Sequence, residues 1–421
     1  MYKKQILKNG VRILTIPQTE AQTFAILVMV KTGSAHESRT QNGISHFVEH
    51  MLFKGTKKRP TTLAISSALD SIGGEFNAFT SKEYTGYYAK VAARHAVAAV
   101  DVISDMLLHS KFSASEIERE RGVITEEINM YQNNPLIHID NLFESCLYGD
   151  TPAGWETIGT KQNINAFERQ DFLNYVAAQY RAAGIVVGLA GCIPAAAVAF
   201  ARKEFLNVPG GRGSAVFRFS GTQSAPALKI QTQAGQQVNV SVGFRAFGYD
   251  HADFYIAKLL SVILGGSMSS RLFIAVRERK GLAYQVHTQM EGYADDGYLT
   301  TTIGTSADKL GQAVAVTLAE CVRIAQTAVG KKELQKAKEY LKGRTTIDLE
   351  AAENINMWYV RQELLQPKVL TPEAFFEIID ALTPRDIRRV AGALIANSGL
   401  NVAAIGSGID EKKFQKLAEL P

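Results

Sequence analysis

His46, Glu49 and His50 stand in ISHFVEHMLF (44–53), a stretch otherwise dominated by Ile, Phe, Val, Met and Leu. At 3.6 residues per turn, positions i, i+3 and i+4 share one helix face, so the three form a polar stripe roughly 100° wide. Burying three ionisable groups without partners costs several kcal/mol or more. The stripe therefore needs something to bind. Two imidazoles one turn apart can grip a metal ion, and with a carboxylate they make a catalytic zinc set. The glutamate between them, on the same face, can take a proton from water. The order H-x-x-E-H reverses the H-E-x-x-H arrangement of other zinc sites.

A third ligand has to come from elsewhere in the chain. SEIERERGVITEEI (115–128) is rich in glutamate, and helical phase sorts its members. Ile117, Ile124 and Ile128 define an apolar stripe; Glu120 and Glu127 lie together on its shoulder, roughly 60–80° away, and Glu126 points to solvent. Glu127 is thus the ligand candidate. Glu120, two turns earlier on the same face, suits an auxiliary carboxylate that orients a ligand or substitutes for one.

These helices belong to a chain that reads as one unit written twice. Shifting HFVEHMLFKGT (46–56) onto AKLLSVILGGS (257–267) superposes two apolar helices that stop at glycine. The same shift lays TGYYAKV on DGYLTTT, and six further residues lay SEIERERGVITEEI on KELQKAKEYLKGRT. Strand-like runs such as VRILTI and TFAILVMV precede paired helices in the first half. The pattern predicts an α+β protein of two homologous α/β-sandwich domains, each an antiparallel-rich sheet packed with helices. NVPGGRGSAVFRFSGTQSAPAL, rich in Gly, Ser and Pro, marks the break. Expected boundaries are 1–207 for an N-terminal zinc-binding catalytic domain, 208–227 for a linker, and 228–421 for a C-terminal homologous domain. In the second copy, His46, Glu49 and His50 become Ala257, Leu260 and Ser261, and Glu120 and Glu127 become Ala337 and Arg344. The candidate groups vanish together, so the fold itself does not require them.

Composition narrows the remaining classes. A chain of 421 residues exceeds a single core and suits two domains of about 200 residues. The formal charge of +5, without a basic block, argues against a nucleic-acid partner. Cys146, Cys192 and Cys321 are far apart and lack CxxC spacing, which fits buried, reduced thiols in the cytoplasm. No run of roughly 18 apolar residues predicts a membrane span, and MYKKQILKNGVRILTI lacks a signal-peptide pattern.

The motifs GISHFVEHMLFKGT, GGEFNAFTSKEYTGYYAKV, ERERGVITEE and LGGSMSSRLFIAVRERKGLAY resemble the pitrilysin, insulin-degrading enzyme and mitochondrial processing peptidase family. The similarity spans nearly the whole chain and is nearest to the short bacterial members akin to processing-peptidase subunits. It implies a zinc metalloendopeptidase with one Zn2+ per chain on His46, His50 and Glu127, Glu49 as general base, and Glu120 as an auxiliary acid. It further implies that the strand around Asn77 and Ala78 offers its edge to an extended peptide substrate. Arg277 and Tyr284, in the second half, would bind substrate and stabilise the tetrahedral oxyanion. Because long members fold four such domains into a clamshell, a homodimer is expected, with Arg277 and Tyr284 completing the partner's site. A catalytic subunit working with a zinc-less partner chain, or a non-catalytic scaffold, is the alternative. The acids that read a substrate arginine in mitochondrial relatives are replaced here by Ile137 and Asn141, so a presequence-arginine preference is not expected.

Overall fold

The computed structural model describes residues 2–219, 221–416 and 419–421. The first sheet contains β1 (Lys3–Ile6), β2 (Arg12–Pro17), β3 (Thr23–Val30), β4 (Glu75–Thr80), β5 (Thr85–Ala92) and β6 (Ile185–Gly191). The second contains β7 (Ala227–Thr232), β8 (Val238–Ala246), β9 (Ala283–Gly292), β10 (Gly297–Thr305) and β11 (Leu400–Gly406). Their orders are β1-β2-β6-β3-β5-β4 and β7-β11-β8-β10-β9. Setting β1 aside, the two orders are the same, and each sheet has one parallel pairing, β2 with β6 and β7 with β11. The duplication is therefore real, and both sheets are antiparallel-rich.

Pairing registers correct one detail of the repeat. In the first sheet Val30 lies opposite Ile185 and Thr85; in the second Phe244 lies opposite Leu400 and Leu299. Since Ile185 and Leu400 open equivalent strands, Thr85 corresponds to Leu299, three residues beyond the alignment of TGYYAKV with DGYLTTT. An odd slip exchanges the faces of a strand, so the pairing decides which side chains are equivalent.

The chain forms two compact units that are not a simple cut at 208–227. One comprises Met1–Asn129, Trp155–Phe217 and Thr346–Thr371; the other comprises Met130–Gly154, Arg218–Thr345 and Pro372–Pro421. The Pro135–Tyr148 helix thus covers the second sheet, while the Ala352–Leu365 helix, from the later half of the chain, packs on β3 and β6 of the first. These helices start at equivalent points of the repeat, so the two copies have traded them. The physical reason is visible in side chains. Tyr359, Val360 and Leu364 are buried in the first unit, and Asn356 donates to the carbonyls of Ala25 and Gly188 at 3.2 and 3.0 Å. Gly188 is needed there, because a Cβ would fall 1.8 Å from Asn356 Oδ1 and 2.3 Å from Val360 Cγ2. In the second unit Ile139, Phe143 and Leu147 pack against Tyr298, Ala403 and Ile405.

No single helix among the described residues is long and apolar enough to cross a membrane. All three cysteines are unpaired; Cys321 is buried as expected, but Cys192 is exposed and Cys146 only partly covered.

Candidate metal centre

The motif helix spans Ile44–Leu52. Ile44, Phe47, Val48, Met51 and Leu52, at most 1% exposed, are its core stripe. Its start is fixed by Gly43, whose φ of 102° suits glycine and whose Cβ would meet Gly159 Cα at 2.9 Å. The buried Glu37 carboxylate then takes the N–H groups of Gly43 at 2.9 Å and Ser45 at 2.7 Å, and the Asn42 amide at 3.1 Å. A carboxylate on the first free N–H groups also complements the helix dipole. Ser45 and Thr32 each share a hydrogen bond with the buried Tyr175 hydroxyl, at 2.6 and 2.8 Å. The helix that carries the histidines is thus pinned in rotation and in height.

The second element is the Ala114–Asn133 helix, in which Ile117, Glu120, Ile124 and Ile128 are buried and Glu126 is exposed. Glu127 Oε2 lies 3.7 Å from His46 Nε2 and 3.4 Å from His50 Nε2. His46, His50 and Glu127 each offer one ligand atom, and these atoms lie within 4.8 Å of one another. Donors held about 2.0–2.2 Å from a tetrahedral zinc ion sit roughly 3.3–3.5 Å apart, so the set fits the ion with small adjustments. His46 Nδ1, the other ring nitrogen, is buried without a hydrogen-bond partner among the described residues. The donor chemistry, two imidazoles and one carboxylate, is that of a catalytic zinc site.

Glu120 sits behind the set rather than in it. Its Oε1 meets His50 Nδ1 at 2.9 Å and its Oε2 meets Lys54 Nζ at 2.7 Å. That contact fixes the His50 ring and leaves Nε2 facing Glu127. Burial alone would raise the Glu120 carboxyl pKa; the hydrogen bonds from His50 and Lys54 outweigh it and hold it low. Glu49 is half-buried, and its Oε2 accepts the Thr80 hydroxyl at 2.5 Å. Burial raises the Glu49 pKa, with the Thr80 hydrogen bond opposing. A carboxylate so placed can accept a proton and return it.

Thr80, Lys54, Glu37 and Tyr175 were not anticipated from sequence. Lys54 follows His50 by one helical turn and could have been read from spacing. Thr80 shares a strand face with Ala78, so alternation would have found it. Asn77 and Ala78 lie on β4, the outermost strand, which among the described residues pairs with β5 only. Asn77 Oδ1 accepts the Ala78 N–H at 2.8 Å. Arg277 and Tyr284 belong to the other unit, Arg277 in the Phe273–Glu278 turn and Tyr284 on the edge strand β9. The guanidinium lies 5.4 Å from the Tyr284 ring centre, and Tyr284 is 78% exposed, which rules out a core role. The equivalents of the motif residues, Ala257, Leu260 and Ser261, are plain buried packing.

The metal-free pair of histidines titrates in opposite directions. Burial, then the neighbouring His50 charge, pushes His46 down to about 4. Burial would lower His50 as well, but Glu120 and Glu127 outweigh it and lift it to about 9. His46 therefore contributes stability above about 6.5 that is lost as pH falls toward 4; His50 contributes stability below about 6.5 that is lost as pH rises through 9. The metal-free chain should be most heat-stable near pH 6.5. The gain in melting temperature on adding zinc should grow between pH 6 and 9, since a ligand imidazole must be neutral. Differential scanning calorimetry with and without zinc checks both.

Two fused copies of one α+β unit, one of them carrying imidazoles, a carboxylate and a poised glutamate, define a metallopeptidase. Comparison with known proteins agrees. Residues 12–161 match the family described as Insulinase (Peptidase family M16), and residues 166–341 match its Peptidase M16 inactive domain. The chain is 36% identical over 393 residues to the uncharacterized zinc protease YmxG of Bacillus subtilis, covering 93% of this chain and 94% of that one. It is 33% identical over 402 residues to an uncharacterized zinc protease of Rickettsia bellii, covering 95% and 96%. A solved protease from Helicobacter pylori shares the fold at TM-score 0.89 and 20% identity, over 96% of this chain and 99% of that one. A chain of complex III2 from Candida albicans shares it at TM-score 0.84 and 17% identity, over 99% of each. The chain belongs to peptidase family M16, as one of its short bacterial members.

Proposed function

We propose that this metallopeptidase is a cytoplasmic zinc endopeptidase that hydrolyses unfolded peptides inside a chamber formed by two chains. The observation that supports it most is the meeting of His46, His50 and Glu127 from two helices, with Glu49 on the same helix face as the histidines. One zinc ion per chain would be held by those three residues. A zinc ion bound there supplies Lewis acidity, polarising the scissile carbonyl and making water easier to deprotonate. Glu49 Oε2, steadied by Thr80, is the proton acceptor, and the same carboxyl returns the proton to the leaving amine. Glu120 keeps the His50 ring in its working orientation. The free edge of β4 takes the substrate as an added strand, so that affinity comes from backbone hydrogen bonds and sequence preference is weak. Arg277 and Tyr284 serve the metal centre of the partner chain, the Tyr284 hydroxyl donating to the developing oxyanion.

The decisive experiment pairs metal analysis with cleavage of an internally quenched peptide. The purified chain should carry about one zinc per protomer, lose activity as a chelator removes it, and regain activity on zinc addition. Cleavage that survives complete metal removal overturns the proposal.

A further inference from the structure

Across the first sheet from the metal centre, a cavity of about 300 Å3 lies between the sheet and the Ala352–Leu365 helix. Strand alternation separates it from the catalytic face. Phe76, Ala78 and Thr80 face the motif helix, with Phe76 stacked on Phe53 and Thr80 bonded to Glu49. Glu75 and Phe79 alternate with them and line the cavity, together with Tyr88 and Lys90 of β5. The volume is at the lower end of small-ligand pockets.

The polar lining is unbalanced. Lys90 Nζ is already engaged, 2.9 Å from Glu353 Oε1 and 3.8 Å from Glu75 Oε2. Two carboxylates against one ammonium leave one excess negative charge. Glu353 Oε2 is buried and has no hydrogen-bond partner among the described residues. An unmet carboxylate oxygen at the cavity wall costs free energy that an added donor would recover. The aromatic rings of Phe79 and Tyr88, 6.4 Å apart, supply the π faces that attract a cation.

The repeat again acts as a control. At the equivalent positions of the second unit, Asn356 and Glu353 become Ile139 and Leu136. By strand pairing, Lys90 becomes Gly304 and Glu75 becomes Gln285. There the helix sits on its sheet with Ile139 fully buried. The fold does not need the charged set, so it has another use.

We propose that this cavity binds a single ammonium or guanidinium group carried on an apolar stem, with Glu353 and Glu75 accepting its N–H groups and Phe79, Tyr88 and Met357 enclosing the stem. The charged group can come from a free amine or from a basic side chain of a peptide laid along β4. Because β4 is shared, the occupied cavity stiffens the strand whose other face holds Glu49.

The test titrates n-hexylammonium into the full-length chain by isothermal titration calorimetry, with 1-hexanol and hexanoate as controls. Saturable binding of the ammonium alone is expected, accompanied by hydrogen-exchange protection in β4, β5 and residues 352–365. Glu353→Gln should weaken it by about tenfold or more, since it removes a charged acceptor. Glu75→Gln, at an exposed position that tolerates change, should weaken it by a smaller factor. Absence of binding, equal binding of hexanoate, or unchanged affinity in both variants overturns the proposal. Displacement by a lysine-containing peptide but not by its norleucine analogue identifies a substrate side chain as the source; no displacement identifies a free amine. The measurement needs no peptidase activity, so its outcome is independent of the function proposed above.

Discussion

Glu49→Gln is expected to leave the chain folded and zinc-loaded while lowering kcat for a quenched peptide by about 10²–10⁴-fold, the usual share of a positioned general base. The argument is geometric. Glu49 points along the stripe shared by His46 and His50, yet it is not one of the three groups whose atoms converge. Glutamine keeps the length and can still receive the Thr80 hydroxyl on its carbonyl oxygen, so packing is preserved. It cannot take up a proton. Metal content should therefore stay at about one per chain, and KM should change far less than kcat. A variant that loses its zinc would place Glu49 among the ligands instead. One that keeps wild-type turnover would remove it from the chemistry.

The second large effect is a gain rather than a loss. Tyr284→Phe should also be nearly inactive, because one donor to an oxyanion is worth roughly 10²–10³ in turnover. If Tyr284 serves the partner's metal centre, mixing Glu49→Gln chains with Tyr284→Phe chains creates hybrid dimers. One of the two sites in each hybrid is then intact. After dissociation and reassociation, activity should rise to about one quarter of wild type, the statistical share of intact sites in a symmetric dimer. No gain over either parent, with hybrids verified by native mass spectrometry, would show that each chain completes its own site. A chain that purifies as an inactive monomer and gains activity only with a zinc-less second protein would favour the heterodimer.

Much of the centre was legible because metal binding imposes strict spacing on rigid elements. His46, Glu49 and His50 could be read from a single helical turn, and Glu127 was separable from Glu126 by phase alone. Glu120 was placed on the right face, but its bond to His50 Nδ1 depends on how the two helices cross, which periodicity does not encode. Thr80, Glu37 and Tyr175 stayed hidden for the same reason, since each acts across elements distant in sequence. The duplication was visible in the order of elements, whereas the strand register was not. Strands buried on both faces lose the alternation that would fix it. Nor could any local signal announce that the Pro135–Tyr148 and Ala352–Leu365 helices had changed places, because the contacts that sort them, such as Asn356 with the Gly188 carbonyl, join elements distant in sequence.

The traded helices bear on how the protein is made. The strands of the first sheet are complete by Gly191, but the helix that seals one of its faces emerges only after Ala352. Until then the surface under Tyr359, Val360 and Leu364 stays wet, each such residue being worth about 1.5–3 kcal/mol once covered. The catalytic half is thus left unfinished on the ribosome until most of the polypeptide has been synthesised, and a nascent fragment ending at the inter-repeat loop has no means of closing its core.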